Sequence, residues 1–122
     1  MKLFEGLPKK ARIGTVWYRF FLKERLFLDE KKEDVECVGL TYANEKKIEF
    51  STSHHNYNMI EILFHELIHA VYVEYRLKEK QDEETVCSTF GKALCQIFLD
   101  NPKLLDYINE HIKYQRKNGN CY

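Results

Sequence analysis

The chain has 122 residues, 44% hydrophobic and 31% charged, a balance that excludes a disordered chain and fits one domain with one core. Lysine plus arginine and aspartate plus glutamate number 19 each, so the formal net charge is zero. That removes the general electrostatic argument for a nucleic-acid or membrane-surface partner, and neither is expected.

In chain order, MKLFEGLPKKAR lacks the apolar run of a signal peptide. No stretch of about eighteen apolar residues occurs anywhere. The basic clusters PKKAR and YQRK read as solvated termini. In IGTVWYRFFLKERLFL, the residues Val16, Tyr18, Phe20 and Leu22 alternate with Trp17, Arg19, Phe21 and Lys23, the period-two pattern of a strand. DEKKED interrupts it, VECVGLTY resumes as strand, ANEKK makes a polar turn and IEFS returns as a short strand. The first half is therefore expected to form a small, mainly antiparallel sheet of about three strands.

The second half reads as helix. From about Asn58 to Lys78, Ile60, Leu63, Phe64, Leu67, Ile68 and Val71 recur at helical spacing, and Ile62, Ala70 and Val73 fill much of the remaining circumference. This helix is expected to be central and largely buried. KEKQD ends it, and Asp82 can cap the next helix, whose core stripe is Val86, Phe90, Ala93, Leu94, Ile97 and Phe98. DNP at 100–102 stops that helix and starts another carrying Leu104, Leu105, Tyr107, Ile108 and Ile112, and the tail RKNGNCY reads as frayed. No repeat or linker divides the chain, so residues 1–122 are expected to make a single α+β domain. The cysteines Cys37, Cys87, Cys95 and Cys121 form no C-x-x-C pair, and Cys87 and Cys95 lie too far apart along one helix to bond. A reduced, cytoplasmic protein is expected.

The chemistry gathers in LFHELIHAVY. His65 and His69 are four residues apart on a helix, so they project side by side and can turn ring nitrogens toward one divalent ion. Zinc takes imidazole nitrogen at about 2.0–2.1 Å, and a catalytic site uses three protein ligands. Glu66 follows the first histidine and is rotated by about 100° around the axis, beside such an ion rather than on it, as suits a base. His65-Glu66-Leu67-Ile68-His69 spells H-E-x-x-H, whose mechanism is metal-assisted hydrolysis. Glu66 is flanked by Ile62, Leu63, Ala70 and Val73, where an unpaired carboxylate would be costly. The alternative is a wet helix stripe in which the histidines keep company with Glu61 and Arg76. A third ligand should arrive from the next helix, whose opening supplies Asp82, Glu83 and Glu84.

LFHELIHA followed by EETVCSTFG resembles the gluzincin metallopeptidases, whose second helix carries a glutamate ligand. EETVCSTFG resembles the corresponding Asn-Glu-Ala-Ile-Ser-Asp-Ile-Phe-Gly stretch of thermolysin-like members, which puts Glu84 at the ligand position with Glu83 as the alternative. Ser88 stands where that family places an aspartate that orients a histidine. The gap from His69 to Glu84 is also shorter than in the large secreted enzymes. Over residues 35 to 99 the chain is more similar to minimal gluzincins and to small metallopeptidases of phages and other mobile elements, distantly to ImmA-like proteases.

The resemblance implies a zincin-like fold and a zinc-dependent endopeptidase acting on peptide or protein segments. It implies Zn²⁺ on His65, His69 and Glu84, with Glu66 as general base. It also implies that KIEFS is the edge strand that pairs with an extended substrate. Tyr72, Tyr107 and His111 are candidates to stabilise an oxyanion, and His54 and His55 either touch substrate or lie in a polar loop. Two rivals stand beside this reading: a non-catalytic, zinc-stabilised interaction module and a zinc hydrolase of non-peptide substrates.

Overall fold

The structure, a computed structural model, describes residues 3–29, 31–33, 35–55 and 57–120. Strands β1 (Lys10–Ile13) and β2 (Val16–Lys23) form an antiparallel hairpin, and β5 (Gly39–Tyr42) and β6 (Lys47–Ser51) form a second. The two hairpins join through a parallel β2–β6 ladder into one sheet of order β1-β2-β6-β5. Two short strands, β3 (Leu26–Phe27) and β4 (Glu36–Cys37), make a separate ribbon between them. Three helices follow: α1 (Met59–Glu74), α2 (Glu83–Asp100) and α3 (Pro102–Asn118). The fold is α+β. Among the described residues, no helix is long and apolar enough to cross a membrane.

Among the described residues, six strands form in place of the expected three or so, because the run IGTVWYRFFLKERLFL ends as β2 at Lys23 and resumes as β3 in the other sheet. The sheet departs from the expectation in three further ways. PKKAR is no solvated terminus: Lys10–Ile13 is β1, with Ala11 and Ile13 fully buried while Lys10 faces outward. The lysine and arginine conceal a period-two pattern. Gly14, at φ 63°, then makes the two-residue turn into β2, a conformation glycine adopts without steric cost. Second, VECVGLTY is two strands in different sheets, with Val38 between them. Third, KIEFS is an inner strand, bonded to β2 on one side and β5 on the other. It cannot receive a substrate strand, because both its hydrogen-bonding edges are used. The edges are β1 and β5.

The core lies between the inner sheet face and the helices. Tyr18, Phe20, Ile48 and Phe50 point inward from β2 and β6 and meet Leu63 and Leu67 of α1 in one buried cluster. Side chains of this size each contribute about 1.5–3 kcal/mol on burial. Asn58 caps α1 by accepting from the Glu61 amide at 3.1 Å, and the helix ends at Glu74, before the expected Lys78. There Tyr18 donates a hydrogen bond to Glu74 at 2.5 Å and Lys46 pairs with the same oxygen, fastening the helix end to the sheet.

Asp82 caps α2 as expected, accepting from the Thr85 amide at 2.8 Å. Of the stripe assigned to α2, Ala93 and Ile97 are buried, but Leu94 is 47% exposed. On α1, Ile68 and Val73 are likewise open at 41% and 47%. Periodicity identified the apolar faces but not how much partner surface each would find. The last helix continues to Asn118, so the first three residues of the tail read as frayed are helical; Cys121 lies outside the described residues. Cys37, Cys87 and Cys95 are free thiols.

Asn101 does more than punctuate two helices. It is buried, and its amide oxygen accepts from the Arg12 amide at 2.6 Å while its nitrogen donates to the carbonyls of Arg12 at 2.8 Å and Ile97 at 2.7 Å. One side chain thus stands in for a neighbouring strand along β1. Gln96 extends the same work, accepting from the Gly14 amide at 2.7 Å and donating to the Arg12 carbonyl at 3.0 Å.

Candidate active site

The turn spacing of α1 brings His65 and His69 together: their Nε2 atoms are 3.2 Å apart, with ring centroids separated by 4.9 Å. Both rings are exposed, His65 at 66% of its side chain, whereas Glu66 beside it is only 6% exposed. Two nitrogens bound to one tetrahedral zinc at about 2.0–2.1 Å would stand about 3.3–3.4 Å apart. The pair therefore fits two positions of such an ion with little rearrangement.

The edge strand β5 packs on α1 and holds Glu66. Thr41 Oγ1 donates to Glu66 Oε1 at 2.9 Å and lies 3.1 Å from the Glu66 carbonyl. Gly39 closes over the carboxylate: a Cβ there would sit 2.8 Å from Glu66 Cγ and 3.0 Å from Oε2. The glycine is required by close approach, since any side chain would displace the carboxylate. The other oxygen, Oε2, is 3.9 Å from His65 Nε2. Burying a carboxylate is costly unless it is compensated, and one neutral hydroxyl is a modest partner. Glu66 is thus kept buried, aimed and adjacent to the histidine pair.

A cavity of about 430 Å³ opens beside it, walled by Glu36–Gly39 on one side and by Asn58, Glu61, Ile62, His65 and Glu66 of the α1 region on the other. Three carboxylates and no lysine or arginine line it, so it suits a basic or neutral group better than an acidic one. Arg25 donates to Glu36 at 2.8 Å, and this hydrogen bond holds the Glu36 carboxyl below its ordinary range. His54 stands behind that wall, its Nε2 3.6 Å from Glu36 and its ring edge-on to Tyr57; His55 is exposed.

The remaining expected residues are dispersed. Glu83 and Glu84 are exposed in the first turn of α2, and among the described residues no three His, Cys, Asp or Glu side chains gather into a metal-holding group. Glu84 lies six residues before Phe90, whose ring meets Tyr72 edge-on, and six residues span about 9 Å of helix. Ser88 is exposed. Tyr107 and His111 are packing residues: Tyr107 donates to the Met59 sulfur at 3.4 Å, and His111 Nε2 lies 3.2 Å from the Glu5 carbonyl. Of the oxyanion candidates, only Tyr72 is exposed, one turn beyond His69.

Thr41 and Gly39 escaped the sequence reading. Nothing in GLTY distinguishes them from ordinary strand residues, and a glycine in a strand is only a general sign of close backbone approach. Comparisons with protein-family models, curated proteins and solved structures find no match for this chain.

Proposed function

We propose that the chain is a zinc-dependent endopeptidase built on a zincin-like arrangement, with His65, His69 and Glu84 as metal ligands and Glu66 as general base. The observation that carries the reading is the pairing of two exposed imidazoles 3.2 Å apart with a buried, hydrogen-bonded carboxylate next to them. A helix serving only as core has no use for that combination. Zinc held there would supply a Lewis acid that lowers the pKa of water and polarises a scissile carbonyl.

The chain's own groups divide the work. Glu66 Oε1 is engaged by Thr41, so Oε2, on the His65 side, is the atom that takes a proton from the attacking water and returns it to the leaving amine. The cavity beside β5 receives a substrate side chain, and β5 takes the place first given to KIEFS as the strand along which an extended peptide lies. Glu84, or Glu83 next to it, would be the third ligand, supplied from the first turn of α2.

Elemental analysis of protein prepared without chelator tests this. Stoichiometric zinc in the wild type, lost or severely weakened in His65→Ala and Glu84→Ala, is the expected result. Retention of zinc in Glu84→Ala but not Glu83→Ala moves the ligand by one residue. No zinc uptake by the wild type, even when zinc is offered, overturns the proposal. Zinc binding without cleavage of a peptide library, but with cleavage of simple esters or amides, would replace a peptidase by another hydrolase.

A further inference from the structure

The zero net charge of the chain conceals a segregation of cations onto the sheet face opposite α1. Strand alternation sends Lys10 and Arg12 of β1, Trp17, Arg19, Phe21 and Lys23 of β2, and Lys47 of β6 to this outer face. Glu49 is the one carboxylate among the strand residues there. It is buried beneath Lys23 at 3.0 Å and Lys47 at 3.6 Å, out of the open half. The β3–β4 ribbon packs toward β6, while the β1–β2 half stays open, with Trp17 47% and Phe21 38% exposed.

Two features of that half call for a ligand. Lys10 is directly opposite Arg19, so two cations face each other across the β1–β2 pair; Arg19 is opposite Lys47 of β6 in turn, which pairs with Glu45 at 3.1 Å and Glu49 at 3.6 Å. Like charges placed so are destabilising. Among the described residues, no carboxylate pairs with Lys10 or Arg19; their cations lie instead over rings, Lys10 4.6 Å from the Trp17 centroid and Arg19 5.4 Å from that of Phe21. Next to Trp17 is the second feature, a cavity of about 570 Å³ between the β1–β2 hairpin and the α2–α3 corner. Lys9, Lys10, Lys103 and Trp17 line it. Its carboxylate, Asp100, accepts a hydrogen bond from Gln96 at 3.0 Å.

We propose that this open face and its cavity bind a single-stranded polynucleotide, with phosphates on Lys10, Arg19 and Lys103 and bases on the rings of Trp17 and Phe21. Alternating cations and exposed rings on a sheet match the two chemistries of a single strand, an anionic backbone and unpaired aromatic faces. A duplex hides its base faces, and an acidic peptide would leave the rings unused. The surface lies across the sheet from His65 and Glu66, so it neither depends on the peptidase reading nor competes with it.

Trp17 is the only tryptophan, so its fluorescence reports stacking directly. Full-length protein is titrated into fluorescein-labelled oligo-dT and oligo-U of about 15 nucleotides, and into the matching duplex, at several salt concentrations. Saturable binding to single strands is expected, weaker for duplex, with Trp17 quenched and affinity falling as salt rises. A preference for oligo-U over oligo-dT would identify RNA, and equal binding would assign recognition to phosphates and base faces alone. Trp17→Ala should weaken binding by about tenfold. Trp17→Phe should keep most of it with an unchanged melting curve, and Lys10→Glu with Arg19→Glu should abolish it while the chain still unfolds in one cooperative transition. Absence of any anisotropy change at low salt overturns the proposal. So does binding that leaves Trp17 unquenched and survives Trp17→Ala, which would be unspecific polyanion attraction. Quenching by phosphatidylserine vesicles but not by oligonucleotides would assign the face to a membrane surface instead.

Discussion

At one edge of the sheet, the backbone of β1 meets Asn101 and Gln96, whose side-chain amides take the place of a further strand. At the other edge, β5 meets no further described strand, and its inward residues Gly39 and Thr41 are spent on a single carboxylate, Glu66. Both edges lie against helices and both border a cavity, yet only β1 has its backbone closed by side-chain hydrogen bonds. An exposed strand edge invites pairing with another chain, and proteins ordinarily blunt it. Closing β1 protects the fold. Leaving β5 beside the histidine pair is reasonable where an extended segment is to be received.

Substitutions at the two edges should therefore fail differently. Glu66→Gln should lower peptide turnover by about 10²–10⁴-fold while zinc content is retained, measured by initial rates and elemental analysis on the same preparation. Full activity in this variant would remove Glu66 from the chemistry. Asn101→Ala should cost about 1–3 kcal/mol, because it leaves the Arg12 amide without its partner and takes one hydrogen bond each from the carbonyls of Arg12, which keeps Gln96, and Ile97. Denaturant unfolding checks it, and the zinc content of the folded fraction should not change.

Gly39→Ala should reverse that balance. Its Cβ displaces Glu66, so turnover should fall by about tenfold or more, while stability moves by less than in Asn101→Ala. A larger loss of stability than of turnover would mean that Gly39 serves packing alone. The smallest effect is expected from Thr41→Val, which keeps the shape and removes the hydroxyl donated to Glu66. Turnover should drop by a few-fold and stability by about 1 kcal/mol. Thr41→Ser should restore the rate if the hydrogen bond is what matters.

Local information was enough wherever one element decides its own form. Asp82 and Asn58 have side chains that satisfy the first free amides of a helix, Pro102 suits a first helical turn, and His65 and His69 are neighbours by helical pitch alone. The α+β class and the position of each helix follow from the same short-range rules. KARI was harder to read, since its lysine and arginine hide two buried residues.

What only the tertiary structure decided is which element meets which. No local rule places β6 between β2 and β5, and so the edge beside α1 is β5 instead of KIEFS. Nothing in Gly39 or Thr41 announces Glu66 as a partner, because the contact spans some 25 residues and exists only once sheet and helix pack. The same holds for Asn101 and Arg12, 89 residues apart. Hydrogen bonds within a turn are written in neighbouring residues, whereas those that close an edge or aim a carboxylate depend on how whole elements bury their apolar faces.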